Sequence, residues 1–600
     1  GERAVHMSDL TEQVRRATIE QAEASKHIAN AMEELTTVVE QIRAAVGEQS
    51  VGTGHVLRAI EVIKEVVARN QTSIATINGA VDALGREAAL LRKEVEQFQM
   101  PAPRRGGHLR VAYRDAEVEL DPVRAKTVTA ADVLDNLFET LVQSGEGSEI
   151  RPALAHRWDV SPDGRIYTFF LRRGVRFHNG REMTSDDVRY SFERMLRAGE
   201  KTGAWVFTPV EGAEEFARGR AEHVSGIELL DAYTVRVTLR RPLAFFLSTL
   251  CVDYAAIVPR EEVERADPPF HLSPVGCGPF RFVAYEPDRR IEMERFEDYY
   301  REECPNVDRL TFEVGVSGAE IADRFLAGDL GYVKNPPRDL VARLEADPAW
   351  RASVIRAVAM HTERLIFDCG FPPFDARDVR RAVAHAIDKG RYVREVHGDA
   401  AIVAAGPIPP GLVGYTPELA GLEYDPDRAR ALLARAGLAG GFRTSLWYTR
   451  GFVPDAGVVR IREDLAAIGV DLDVRAVDPG EFIRARERGL IPIAWRAWFA
   501  DYADPDNFTY VLFHSANEAF FSSNYRNPEV DQLAERARTV MDREDRDRLY
   551  QQLARVVVDD APSVFLIHRR NVVAHRPDVE GLRLHLLTPV VRPEELWFNE

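Results

Sequence analysis

The chain is predicted to be an α/β protein with mixed sheets, preceded by an all-α coiled coil, and three observations carry that expectation. From Gly106 to the C-terminus, alternating apolar strands give way again and again to amphipathic helical stretches, the pattern of packed α/β layers. From Leu10 to Phe98, small and apolar residues instead recur at steps of three and four, the 3.5-residue period of a left-handed coiled coil. Between the two, Pro101, Pro103, Arg104–Arg105 and Gly106–Gly107 break the composition sharply. At 600 residues the chain is too long for a single core, so several domains are expected.

Composition narrows the function. There are 78 Lys and Arg against 95 Asp and Glu, a net charge of −17, which leaves no basic surface for nucleic acid. Cys251, Cys277, Cys304 and Cys369 are widely spaced with no CxxC pair, which argues against zinc; one or two disulfides and four free thiols both remain open. His178, His385 and His397 stand alone and form no metal-spaced cluster. There is no P-loop, no G-x-S-x-G elbow and no H-E-x-x-H motif, so neither an enzyme nor a cofactor is expected. No apolar run reaches the roughly 18 residues of a membrane span. The opening GERAVHMSDL has no apolar signal core and no lipid-attachment cysteine, and it starts at Gly1, compatible with a leader or anchor lost upstream.

The coiled coil, about residues 1–100, has two seams. The first runs Leu10, Val14, Ala17, Ala24, Ile28, Ala31, Leu35, Val38, Ile42 and Ala45; the second runs from Val56 to Phe98. They differ in phase around Gly47–Gly54, where a bend, an unwinding or a hairpin must shift the seam. A lone helix cannot bury either seam, so homodimerisation through residues 10–98 is expected, with an intramolecular hairpin as the competitor. Glu48–Ser50, Ala59–Val66, Asn70 and the closing LLRKEVEQF resemble the C-terminal helix of methyl-accepting chemotaxis transducers. Ala29–Thr37 is similar to that family's adaptation sites, which would make Glu33 and Glu34 candidate methyl acceptors; solvated outer-face glutamates are the plainer alternative.

After the linker at 101–106, His108–Tyr113 alternates as a strand and Ala130–Val142 is amphipathic. Tyr167–Leu171 reads as a strand, and Thr184–Leu196 as a helix capped at Thr184 with Asp187 three residues on. The richest stretch is Trp495–Phe508, WRAWFADYADPDNF. The apolar run Leu490–Trp495 leads in as a buried strand, and Asp501, Asp504 and Asp506 fall where it ends. A carboxylate between aromatic walls suits a compact cation such as a peptide α-amino group; an Asx-turn with solvated acids over two core tryptophans is the alternative.

In order and spacing, the region resembles the family 5 extracellular solute-binding proteins, the dipeptide- and oligopeptide-binding group of ABC importers. The matching segments include GGHLRVAY, RPALAHRWDVSPDGRIYTFFLRRGVRFHNGREMTSDDVRYSFERML, PVGCGPFRFVAYEP, PPFDARDVRRAVAHAID, YDPDRARALLARAGL and WFADYADPDNFTYVLFHS. The resemblance implies a two-lobed clamshell of the type II, cluster C kind with an extra inserted domain. The first lobe would be about 107–150, 271–366 and 566–600, the insertion about 151–270 and the second lobe about 367–565, with crossings near Thr362–Cys369 and Phe565–Arg569 acting as the hinge. Asp501 matches the position whose carboxylate receives the ligand's α-amino group, while Asp504 and Asp506, with Asn507, would cap a helix through Phe508–Phe513. Trp498 would line the cleft or pack beneath the loop, and Tyr113 would reach the cleft or the core. Arg450 is the nearest cation for a ligand carboxylate, in a loop shorter than that of dipeptide binders. Cys277 replaces the Thr of the family's GTGP motif and so gives up a hydroxyl hydrogen bond. The function implied is capture of peptides or similar small solutes for an ABC permease, in the periplasm or cell envelope. A ligand-sensing signalling protein with the coil as output, and a cytoplasmic location, form the alternative.

Overall fold

The computed structural model describes residues 106–599 apart from 200, 201, 266, 518–522 and 588, and, ahead of them, 12–16, 18–28, 30, 32–40, 43 and 64. The chain divides into two compact units, Gly1–Ala102 and Pro103–Glu600. In the first, 18–28 and 32–40 are helical, and the seam residues Val14, Ile28, Leu35 and Val38 are exposed. The seam residues from Val56 to Phe98 and residues 101–105 of the 101–106 linker lie outside the described residues.

The second unit starts with strand β1 (His108–Ala112), whose alternation buries Leu109 and Val111. Helix α1 (Val128–Leu137) follows, capped by Thr127, which accepts from the Ala130 amide at 3.1 Å. It stops at Leu137 because the Gly276-Cys277-Gly278 turn seats on its end, with the Gly278 amide donating to the Leu137 carbonyl at 2.9 Å. A Cβ at Gly276 would stand 2.0 Å from that carbonyl oxygen, so glycine is required there.

A separate antiparallel sheet then forms from β2 (Ala155–Val160), β3 (Ile166–Leu171), β4 (Ile227–Asp231) and β5 (Thr234–Thr238), in the order β2-β3-β5-β4. Helix α2 (Ser185–Ala198) packs with it around Phe169, Phe192, Phe207 and Phe246. Its start is the predicted one: the Asp187 carboxylate accepts from the Thr184 amide at 2.9 Å.

Apart from two two-stranded pairs (Val142–Ser144 with Ile150–Pro152, and Val579–Glu580 with Trp597–Phe598), the other strands join β1 in one eleven-stranded mixed sheet: β6 (Phe280–Glu286), β7 (Arg290–Arg295), β8 (Arg309–Glu313), β9 (Tyr332–Lys334), β10 (Val354–Phe367), β11 (Ala401–Val403), β12 (Phe442–Thr449), β13 (Val470–Val477), β14 (Ile493–Phe499) and β15 (Ser563–His575). The order is β13-β12-β14-β10-β15-β9-β1-β8-β7-β6, with β11 on β15. Only β10 and β15 belong to both halves. Their ladder runs from Val354↔Ala574 to Val358↔Arg570, breaks, and resumes at Thr362↔His568. On β10 this break lies just before the stretch where the sequence placed the first hinge crossing. Each lobe has its own core, around Leu134, Phe280 and Phe312 in one and Trp495, Tyr392 and Leu465 in the other. Helices α3 (Pro528–Thr539) and α4 (Arg543–Asp560) cover the second lobe near the end of β14.

Two local expectations are corrected. The strand expected over Leu490–Trp495 begins at Ile493 and continues to Phe499, because the Leu490 amide still closes a helical turn on the Ala485 carbonyl at 3.0 Å. The helix expected through Phe508–Phe513 is two short turns, Pro505–Phe508 and Tyr510–Phe513, divided at Thr509, whose backbone is not helical. All four cysteines are free thiols.

Candidate ligand-binding cleft

Strand β14 carries the site to the line between the lobes. It lies parallel to β12 and antiparallel to β10, pairing Leu365 with Trp495 and Thr362 with Trp498. Trp495 is fully buried and donates its indole N–H to Glu363 Oε1 at 2.9 Å, so it is a core residue. Trp498 and the backbone of Asp501 share one anchor, as both donate to Asn507 Oδ1, at 2.7 and 3.3 Å. The Asn507 amide in turn donates to Asp501 Oδ2 at 3.4 Å.

That contact is the only side-chain bond Asp501 makes among the described residues. The Asp501 side chain still reaches solvent, yet the protein packed around it raises its carboxyl above the usual range, with the Asn507 amide opposing. Its charge is felt on the facing wall, where burial pushes the Asp253 carboxyl up to about 7 and Asp501 adds to the shift. Asp253 and Tyr254 sit in a short turn, Asp253–Ala255, that follows the inserted sheet.

The other two acids of the loop are built in. Asp504 accepts from the Asp506 amide at 3.0 Å and from Arg546 Nη2 at 2.8 and 3.0 Å. Asp506 accepts from the Tyr502 hydroxyl at 2.7 Å and lies 3.3 Å from Arg538. Their expected capping role therefore holds for Asp504, to which the structure adds a buried ion pair. Tyr502 leaves the loop to stack on Phe245 (5.1 Å between ring centres, 7° between planes) beside Trp205, joining the loop to the core of the inserted region.

Two connected cavities border this edge. One, of about 170 Å³, is lined by Lys334, Asn335 and Val573 on one side and by Met360, Phe499 and Ala500 on the other. The second, of about 290 Å³, shares Val128, Lys334 and Asn335 with it and reaches Tyr113, Asp115 and Asp132. Tyr113 therefore borders the cleft while packing on Phe312 and beneath the Lys334 ammonium, itself paired with Asp132. Arg450 follows β12 at the same edge of the sheet, but its guanidinium donates to the Ala476 carbonyl at 3.1 Å and lies 3.8 Å from Asp478. Buried Cys277 keeps its thiol neutral, its ionisation opposed by burial and by Glu139. Glu33 and Glu34 are exposed on the N-terminal helix.

Sequence reasoning missed Asp253, Tyr254, Lys334 and Asp132, which lie 167 residues or more before Asp501 and enter the cleft only through folding. Asn507 had a readable signal, an amide six residues past Asp501, but was taken for a cap alone. Among the described residues no group of His, Cys, Asp and Glu is arranged to hold a metal ion, and no helix is long and apolar enough to cross a membrane.

Two lobes joined by two continuous strands, with polar and aromatic groups gathered at the crossing, define a clamshell solute-binding protein. The chain belongs to the bacterial extracellular solute-binding proteins, family 5, whose profile matches residues 149–520. It is 31% identical over 498 residues to di/tripeptide-binding protein 2 of Pseudomonas aeruginosa, covering 79% of this chain and 92% of that one. It is 30% identical to heme-binding protein A of Haemophilus influenzae, over 74% of this chain and 84% of that one. Among solved structures it is similar to the periplasmic binding protein DppA of Helicobacter pylori in complex with the peptide STSA, with a TM-score of 0.69, 29% identity, and 83% and 99% of the two chains covered.

Proposed function

We propose that the protein captures di- or tripeptides in the interlobe cleft and hands them to an ABC permease on the outer side of the cytoplasmic membrane. The observation that carries this reading is Asp501, a carboxylate at the mouth of β14 with one weak amide contact and a disfavoured charge. A ligand ammonium supplies the missing partner, and Trp498, held by Asn507, forms the apolar wall beside it. Arg450 is the proposed partner for the ligand carboxylate: its side chain is 69% exposed, held by the Ala476 carbonyl and a loose exposed pair with Asp478, so it can turn toward the cleft. The names of the relatives point to peptides more than to heme, and no histidine faces the cavities near Asp501. The N-terminal helix is proposed to pair with a second copy, supported by the exposed seam residues Val14, Ile28 and Leu35. Native mass spectrometry of the protein as purified, followed by calorimetry with peptides of two to five residues and with heme, tests the ligand class. Retained mass or micromolar binding confined to heme would overturn it.

A further inference from the structure

Resting on the peptide reading, we propose that a chamber beside the cleft takes a second positive charge of the ligand, a primary ammonium such as that of a lysyl side chain. The chamber holds about 40 Å³ between the end of α1, the Asp253 turn and the C-terminal segment, with Asp135, Glu139, Asp253 and Glu594 in its wall. Glu139 accepts from the Tyr299 hydroxyl. Among the described residues, the carboxylates of Asp135, Asp253 and Glu594 find no hydrogen-bond or ion-pair partner beyond the amides of their own turns.

Glu594 is the telling one, being only 7% exposed. It makes no hydrogen bond or ion pair to another described side chain, so a cation that arrives from outside is its natural counterpart. Burial holds Glu594 and Asp253 near 7, and burial with the neighbouring acids Asp253 and Asp132 raises the Asp135 carboxyl well above its usual range. The one arginine in the wall, Arg592, opposes the rise of Asp135 and Glu594 from a distance, but its hydrogen bonds go elsewhere. Arg592 donates to Gln143 and to the Ser144 carbonyl at 2.8 Å, and its Nε finds no acceptor.

Size and position select the cation. The carboxylates are not arranged to hold a metal ion. At roughly 10–15 Å³ per water-sized site the volume equals about three waters, room for a compact ammonium. The chamber adjoins the ligand site, since Asp501 acts on Asp253 and the C-terminal segment lines both places, through Leu586 and Val590 in one and Pro589 and Arg592 in the other.

The test is calorimetry with Lys-Ala, norleucyl-Ala (nearly the same length without the charge) and Ala-Ala, on the full chain and on Glu594→Gln and Asp253→Asn. The expected result is that Lys-Ala binds the wild type about tenfold or more tightly than norleucyl-Ala. In either variant that advantage should shrink to about threefold or less, and in Glu594→Gln Ala-Ala should bind within about twofold of wild type. Melting curves of the variants confirm that they are folded. Equal binding of all three peptides, or a preference for lysine that survives both variants, overturns the inference while leaving the peptide reading intact. A parallel loss of Ala-Ala and Lys-Ala in Asp253→Asn also overturns it, because Asp253 would then serve the α-amino group. If none of the three binds, the peptide reading itself fails, and this inference falls with it.

Discussion

Asp501→Asn and Asp504→Asn should separate recognition from architecture, although the two acids stand three residues apart. Asp504 is 5% exposed and Arg546 7%, so removing the Asp504 charge leaves a guanidinium buried without its counter-ion, a loss of typically about 3–5 kcal/mol. Arg546 keeps its bond to the Ala537 carbonyl (2.9 Å) and to the Tyr550 hydroxyl (3.2 Å), and asparagine can still cap the Asp506 amide. The expected cost therefore lies near the lower end, about 3 kcal/mol of unfolding free energy read by denaturant titration. Asp501 has only a 3.4 Å amide contact to lose, so Asp501→Asn should leave the empty protein's stability within about 0.5 kcal/mol of wild type. Its effect should fall on binding, with affinity for a free dipeptide dropping about a hundredfold, or roughly 2.7 kcal/mol. An N-acetylated dipeptide, which lacks the charge, should bind wild type poorly and lose little more in the variant, closing a double-mutant cycle with the ligand as second change. Equal losses for free and acetylated peptide, or destabilisation by Asp501→Asn matching that of Asp504→Asn, would refute the reasoning.

Three further outcomes are expected. Asp253 carries a carboxyl raised from the ordinary 3.8 to about 7, so the folded state keeps a proton that the unfolded state releases, and stability is lost as pH rises through that window. Asp253→Asn should then raise the melting temperature of the empty protein at pH 8, by at most roughly 4 kcal/mol of stability, with the gain fading toward pH 4; a pH-independent difference would contradict the shift. Asn507→Ala removes the shared anchor of Trp498 and Asp501 and should weaken dipeptide binding about tenfold, seen as a lower affinity by calorimetry, whereas unchanged affinity would show that the anchor is not needed. Ile28→Asp with Leu35→Asp should convert a dimer to a monomer in light scattering of the full chain, and a wild-type monomer at micromolar concentration would end the dimer proposal.

How much could be read in advance differs between the fold and the site. Local signals were legible wherever a single element carries them: the Thr184–Asp187 cap and the alternation in His108–Ala112 follow from spacing alone. The start of β14 was misplaced because Leu490 is apolar yet 51% exposed, finishing a helix rather than opening a strand; hydropathy does not distinguish the two. The site was half legible. Asp501 and Trp498 lie together in sequence, but Asp253, Lys334 and Glu594 reach the same region from three distant segments, and no local pattern marks them. Arg450 was legible only as the cation nearest that strand; where its guanidinium rests, on the Ala476 carbonyl, is set by folding.

The buried acids also show what distinguishes a binding group from a structural one. A raised carboxyl alone does not, because Asp506 is pushed up to about 7 by burial just as Asp253 is. Asp506 nevertheless receives the Tyr502 hydroxyl and faces Arg538, and Glu363, equally deep, receives both the Tyr392 hydroxyl (2.8 Å) and the Trp495 indole (2.9 Å). Their desolvation is compensated within the empty protein, so a ligand would gain nothing by approaching them. Asp501, Asp253 and Glu594 lack that compensation, and all three border the cleft or the chamber beside it. Carboxylates left without a cation beside the cleft are groups that a ligand cation can complete. The two strands crossing between the lobes allow that completion. The β10–β15 ladder is broken between Val358 and Thr362, and just beyond the break Glu363 receives Tyr392 and Trp495 and lies 3.6 Å from Arg569 of β15, so the expected hinge lies on the Val358–Thr362 side of that buried group.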